Sequence, residues 1–178
     1  KGIEADALNA AKELVEKENV VAIVGPSRSG TTMAVVDYVE SAGVPLLSCA
    51  AARAITEPVK KFVFQVPPGD ADAVVRIYEY MNANDISKIA ILTSSSGYGA
   101  EGLKQLTEQA ADAGIEIVAE ESFNEADTDM TAQLTRIKAT DAQAVVCWGV
   151  GKAPGLIAKN MAQLAMEIPL FQSSGVAN

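Results

Sequence analysis

Short apolar runs alternate along the chain with stretches of helical period. The runs at 20–24, 45–48, 62–66, 88–93, 115–119, 144–148 and 168–171 predict seven strands. Most are apolar at successive positions, as in strands covered on both faces of a parallel sheet. Between them, Ile3, Ala7, Ala10, Ala11, Leu14 and Val15 form one helical stripe, and Val35, Tyr38, Val39 and Ala42 a second. Val74, Ile77, Tyr78 and Met81 form a third, and Leu103, Leu106, Ala110 and Ala113 a fourth. Met130, Leu134 and Ile137, then Ile157, Met161 and Leu164, complete the set. Each stripe predicts a helix with its apolar face on a core, and the alternation predicts an α/β fold of parallel strands joined by crossover helices.

A unit recurs. Val21-Ala22-Ile23-Val24, a Ser/Gly loop, a helix and Ala42-Gly43-Val44 return as Ile89-Ala90-Ile91-Leu92, a Ser/Gly loop, a helix and Ala113-Gly114-Ile115. A looser third copy starts at Val145. Gly43 and Gly114 fall where a helix stops in the left-handed conformation. The best internal boundary is Val66-Pro67-Pro68-Gly69-Asp70, where two prolines end a strand and Asp70 can cap the next helix. It divides the chain into 1–68 and 69–178.

Composition narrows the classes. With 178 residues, 49% hydrophobic, and a net charge of −9, the chain is an acidic globule with no basic surface for nucleic acid. No run reaches the roughly 18 apolar residues of a membrane span, and Lys1-Gly2-Ile3-Glu4 lacks the regions of a signal peptide, so either export is not involved or the signal has been removed. Cys49 and Cys147 sit among apolar residues and read as buried free thiols rather than a disulfide. The chain has no histidine, which removes the commonest general base and metal ligand and weighs against catalysis. No cofactor is required.

Ligands of open parallel sheets bind beyond the carboxyl ends of the strands, which directs attention to three loops. Gly25-Pro26-Ser27-Arg28-Ser29-Gly30-Thr31-Thr32 joins a strand to a helix and can aim N–H groups and hydroxyls at a carboxylate or phosphate. It approximates the phosphate loop of nucleotide hydrolases but has Thr31 where that chemistry needs lysine; a capping turn also accounts for Ser29 and Thr31. Ser48-Cys49-Ala50-Ala51-Ala52-Arg53 is nearly side-chain-free until Arg53, suiting either close backbone approach to a ligand or an ordinary turn. Ser94-Ser95-Ser96-Gly97-Tyr98-Gly99-Ala100-Glu101-Gly102 contains the Gly-x-Gly-x-x-Gly of dinucleotide folds, with Glu120 near the ribose-binding position. Three serines precede its first glycine, however, and Tyr98 would crowd a pyrophosphate.

The run from Val21 through Gly25-Pro26-Ser27-Arg28-Ser29-Gly30-Thr31-Thr32 resembles the first-lobe signature of type I periplasmic solute-binding proteins of the branched-chain amino acid transporter family. Gly43-Val44-Pro45-Leu46-Leu47-Ser48, Tyr98-Gly99-Ala100-Glu101-Gly102-Leu103, and Asp129-Met130-Thr131 with Asp141-Ala142-Gln143-Ala144 agree in the same order. The resemblance covers nearly the whole chain but only the middle of a protein about twice as long. It implies two Rossmann-like lobes, each incomplete here, whose exposed sheet edges are covered by the remaining segments of a longer protein or by a second copy.

It further implies an extracytoplasmic, periplasmic component of an ABC importer, working with the transporter's membrane subunits and holding a small carboxylate-bearing ligand between lobes. Ser29 and backbone groups of Ala50, Ala51 and Ala52 match the positions that hold the carboxylate, with Ser27 and Arg53 beside them. Tyr98 matches a tyrosine that closes over the ligand, and Trp148 could join it around an apolar body or belong to the core. Two positions depart from amino-acid binders: Ala52 stands where they carry threonine, and Ser174 where they carry an acid that pairs with the ligand ammonium. The ligand is then an amino acid or an aromatic or aliphatic acid, and since an unpaired buried ammonium costs several kcal/mol, the acid without an α-amino group is the favoured expectation. Two alternatives remain: a ligand-sensing domain of a receptor or regulator with the same fold, and a nucleotide- or dinucleotide-binding α/β enzyme.

Overall fold

A computed structural model describes residues 2–176, and the chain divides into two compact units, residues 1–70 and 71–178. The first contains α1 (Glu4–Glu16), β1 (Ile23–Val24), α2 (Ser29–Ala42), β2 (Leu46–Ser48), a 3-10 turn (Arg53–Ile55) and β3 (Val63–Gln65). Its strands form a parallel sheet in the order β1-β2-β3. Ile23, Leu46 and Val63 share a core with Val35, Val36 and Val39 of α2, against which Ala11 of α1 also packs. Alternation sends the neighbouring residues to the other face. There Val24, Leu47 and Phe64 lie in register across the three strands, with Val24 76% and Phe64 52% exposed. Within its own unit this sheet is covered on one face.

The helix α3 (Asp70–Ala83) starts at the junction, followed by β4 (Lys88–Ser94), α4 (Gly97–Ala110), β5 (Glu116–Phe123), α5 (Thr131–Lys138), β6 (Ala144–Trp148), α6 (Ala153–Gln163) and β7 (Leu170–Gln172). The strands form a parallel sheet in the order β5-β4-β6-β7. Ala90, Leu92, Val145 and Cys147 face Leu134 and Ile137 of α5 and Ile157 and Met161 of α6. On the opposite face Trp148 meets Gly102 of α4, and the Tyr78 hydroxyl of α3 donates to the Leu106 carbonyl at 2.7 Å. Both faces are therefore closed, and β4 and β6 are buried along almost their whole length.

Gly43 ends α2 in the left-handed conformation (φ 69°) and Gly114 has φ 70°, as the repeat predicted. Three expectations need correction. Strand β1 starts at Ile23 rather than Val20, because the Val20 N–H is drawn to the Leu14 carbonyl in the turn after α1 (3.2 Å), and sheet bonding begins with Ile23 N–H to the Pro45 carbonyl. Strand β5 runs on to Phe123; it is an edge strand, so polar Glu120, Glu121 and Ser122 lengthen it without interrupting its pairing with β4. Cys49 is exposed, not buried, since its loop turns it away from the sheet; both thiols are free. The buried Cys147 thiol is pushed up to about 12 by desolvation, which leaves it un-ionised and inert at neutral pH.

Arg136 grips Glu121 through two bonds of 2.6 and 2.7 Å and holds its carboxyl below the usual range by hydrogen bonding, against a smaller opposing effect of burial. A carboxyl lowered in the folded state contributes stability above its unfolded value, and that contribution disappears as pH falls through the folded value. Arg136 is largely exposed, so Arg136→Ala is expected to cost only a small part of the stability at pH 7. The difference should vanish in acid. Urea unfolding of both proteins over a series of pH values from 7 downward checks this; a deficit that does not shrink as pH falls would assign the effect to packing.

Candidate functional site

In the first unit the loops after β1 and β2 meet. Gly25 N–H donates to the Leu47 carbonyl at 2.9 Å and Cys49 N–H to the Pro26 carbonyl at 3.1 Å. The hydroxyls of the first loop divide into two kinds. Thr31 and Thr32 each donate to the Arg28 carbonyl at 2.9 Å, closing the first turn of α2. Ser29 is 2% exposed, and its Oγ has no hydrogen-bond partner among the described residues. The N-cap position belongs to Arg28, which makes no side-chain cap, so Ser29 is not a capping residue. Its hydroxyl sits in the first turn of a 14-residue helix, where N–H groups and the helix dipole favour an anion.

The small-residue loop supplies backbone donors. Ala50 N–H is held by Ser48 Oγ at 3.1 Å, whereas the N–H groups of Ala51 and Ala52 donate to no acceptor among the described residues. Ala50, Ala51 and Ala52 are all buried, so donors left over at this depth call for an outside acceptor. Ser27 and Arg53 are exposed, and Arg53 pairs with Glu57 at 2.6 Å. One residue that sequence reasoning missed, Gln65, stands behind the loop and donates to the Ala51 and Pro67 carbonyls at 3.3 and 3.2 Å. A glutamine closing a strand before two prolines has no sequence signature beyond that of a polar strand end.

In the second unit the chain runs from β4 to β5 on one side of the sheet and then crosses back to β6 on the other, so the gap between β4 and β6 is a topological switch point. Tyr98, in the first turn of α4, stands over it. Its ring lies near Gly175, where an added Cβ would come within 3.1 Å of the tyrosine and 2.5 Å of the Gly149 carbonyl. Ser174, in a one-turn 3-10 segment after β7, is exposed.

Trp148 is fully buried. Its ring is centred 6.1 Å from that of Tyr98 at a 36° tilt, within direct contact range. The two rings therefore touch each other instead of standing on two sides of a ligand. Their glycine-rich neighbourhood has a packing cause: a Cβ on Gly99 would lie 1.9 Å from the Ser94 carbonyl oxygen, and one on Gly102 would lie 2.1 Å from the Trp148 ring. That need accounts for two glycines of the Gly-x-Gly-x-x-Gly pattern without a dinucleotide.

A family model described as Periplasmic binding protein matches residues 2–175. The chain belongs to the periplasmic binding protein family. The Leu/Ile/Val-binding protein homolog 7 of Brucella abortus (strain 2308) is 28% identical to this periplasmic binding protein over 151 residues, covering 79% of this chain and 38% of that one. An extracellular ligand-binding receptor from Rhodopseudomonas palustris HaA2 superposes with a TM-score of 0.93 at 26% identity, covering 99% of this chain and 50% of that one. The branched-chain amino acid transporter substrate binding protein of Streptococcus pneumoniae, solved in complex with isoleucine, gives a TM-score of 0.85 at 30% identity and coverage of 98% and 50%. The chain thus spans half or less of the length of these relatives. It is a type I periplasmic binding protein of the branched-chain amino acid group, and its relatives are solute-binding proteins rather than enzymes.

Proposed function

We propose that this protein is the extracytoplasmic solute-binding component of an ABC importer, and that its ligand is a small carboxylate lacking an α-ammonium, bound and not converted. The observation that carries the reading is the buried, unpartnered Ser29 Oγ at the start of α2, beside a loop with two uncommitted N–H donors. That donor set has the chemistry of a carboxylate site. The Streptococcus relative solved with isoleucine supports transport of a carboxylate-bearing solute with the transporter's membrane subunits. The absence of the amine is supported by Ser174 and Ala52, which, by the family resemblance drawn from sequence, fall where amino-acid binders carry an acid and a threonine.

Topology supports a longer protein. Because α1 packs beside α2 on the covered face, a right-handed crossover through α1 would start from a strand lying beyond β1. Further chain is then available both to pair with the β1 edge and to cover Val24, Leu47 and Phe64.

Calorimetry on the full-length protein with leucine, phenylalanine and their deaminated analogues, 4-methylpentanoate and 3-phenylpropanoate, tests the ligand class. The deaminated acids are expected to bind at roughly micromolar affinity, the level that two or three charge-assisted hydrogen bonds and an apolar body reach after association costs. Tight binding of the amino acids alone would overturn the reading.

A further inference from the structure

We propose that Gln65 is a positioning residue that aims the Ala52 N–H at the ligand carboxylate; this rests on the carboxylate reading above. Gln65 ends β3 opposite Ser48 of β2. Its Nε2 donates to two carbonyls, those of Ala51 and Pro67, which settles the amide's orientation because the flipped form would set oxygen against oxygen. The Ala51 carbonyl also accepts the Asp70 N–H at 3.0 Å.

The Ala51–Ala52 peptide is trans, and a trans peptide points its C=O and its N–H to opposite sides. Holding the Ala51 carbonyl from the Gln65 and Asp70 side therefore turns the Ala52 N–H the other way, where it meets no acceptor among the described residues. Alanines have no polar side chain with which to fix that plane themselves. Gln65 is also an incomplete structural tie, since its own Oε1 is buried without a partner, a cost that a purely structural donor would not need to carry.

Backbone amide NMR of the 178-residue chain, titrated with sodium acetate as a bare carboxylate, tests this. In the unsubstituted chain the Ala52 amide proton should shift downfield and saturate, while that of Ala50, already held by Ser48, should move far less. Equal responses at Ala50 and Ala52 would overturn the proposal without any variant. Gln65→Glu, of the same shape but without the donor, and Gln65→Leu should weaken the Ala52 response tenfold or more while Gly30, next to Ser29 in the first turn of α2, still responds. Gln65→Arg, which keeps N–H donors, should restore it. Should one variant fail to fold, the other decides. An undiminished Ala52 response in either folded variant removes Gln65 from the site but leaves the carboxylate reading standing. Silence at both Ala52 and Gly30 in the unsubstituted chain defeats both.

Discussion

Replacing Ser29 with alanine is expected to stabilise the ligand-free protein while weakening carboxylate binding, two effects of opposite sign from one hydroxyl. The Oγ is buried and unpartnered, and such a group carries a desolvation penalty of about 1 to 3 kcal/mol. Alanine removes the penalty and is the better helix former in the first turn of α2, so the free protein should gain about 1 kcal/mol. In the proposed site the same hydroxyl would donate to the carboxylate, and its loss should cost about 1 to 3 kcal/mol of affinity, roughly 5- to 150-fold. Scanning calorimetry without ligand and titration calorimetry with 4-methylpentanoate measure the two effects separately. A lower melting temperature with unchanged affinity would make Ser29 an ordinary structural serine. Thr32, whose hydroxyl is bonded to the Arg28 carbonyl, provides a contrast in which loss of the hydroxyl brings no such gain.

The second large effect lies in the other unit. Gly102→Ala would place a methyl group 2.1 Å from the ring of Trp148, which is fully buried at the end of β6. Neither a rigid indole nor a strand closed on both faces can yield cheaply, so the substitution should destabilise the second unit by about 3 kcal/mol. Trp148 is the only tryptophan in the chain, so urea unfolding followed by its fluorescence reads this unit directly. Gly155 serves as the control. It lies inside α6 with nothing within 4 Å of an added Cβ, so Gly155→Ala should stabilise by about 0.5 to 1 kcal/mol. Equal transition midpoints for the two variants would show that Trp148 does not fill the space beside Gly102.

Much of this architecture was legible because its signals are local. Apolar runs marked the strands that lie inside a sheet, β4 and β6, and glycines marked left-handed helix ends such as Gly43. Strand β5 was cut short because an edge strand exposes alternate positions, and Glu120 and Glu121 broke the apolar run. Strand β1 was drawn too long because Val20 and Val21 look like strand residues, although a bond back to Leu14 in the turn after α1 claims the first of them.

The candidate site divided in a similar way. Ser29 and Ala51 could be brought together from sequence because both follow strands that pair in parallel. Whether a hydroxyl is committed to the backbone, as in Thr31, or left open, as in Ser29, depends on a rotamer and a carbonyl direction that composition does not carry. Gln65 was invisible for the same reason, since its partners are main-chain oxygens contributed by alanine and proline. Sequence left Trp148 open between a ligand contact and the core; its full burial against Tyr98 is a distance that no residue pattern encodes.

The uncovered row of Val24, Leu47 and Phe64 also bears on how the chain comes into being. Synthesis delivers the first unit to solution before the second, and domains fold largely in that order. Of the two units, the one made first is thus the one whose sheet has an apolar face left uncovered within the unit and a β1 edge without a partner among the described residues, a surface of the kind on which strands of separate molecules associate. The second unit has helices on both faces of its sheet. Until its apolar face is covered, the first unit is the more open of the two to association between chains.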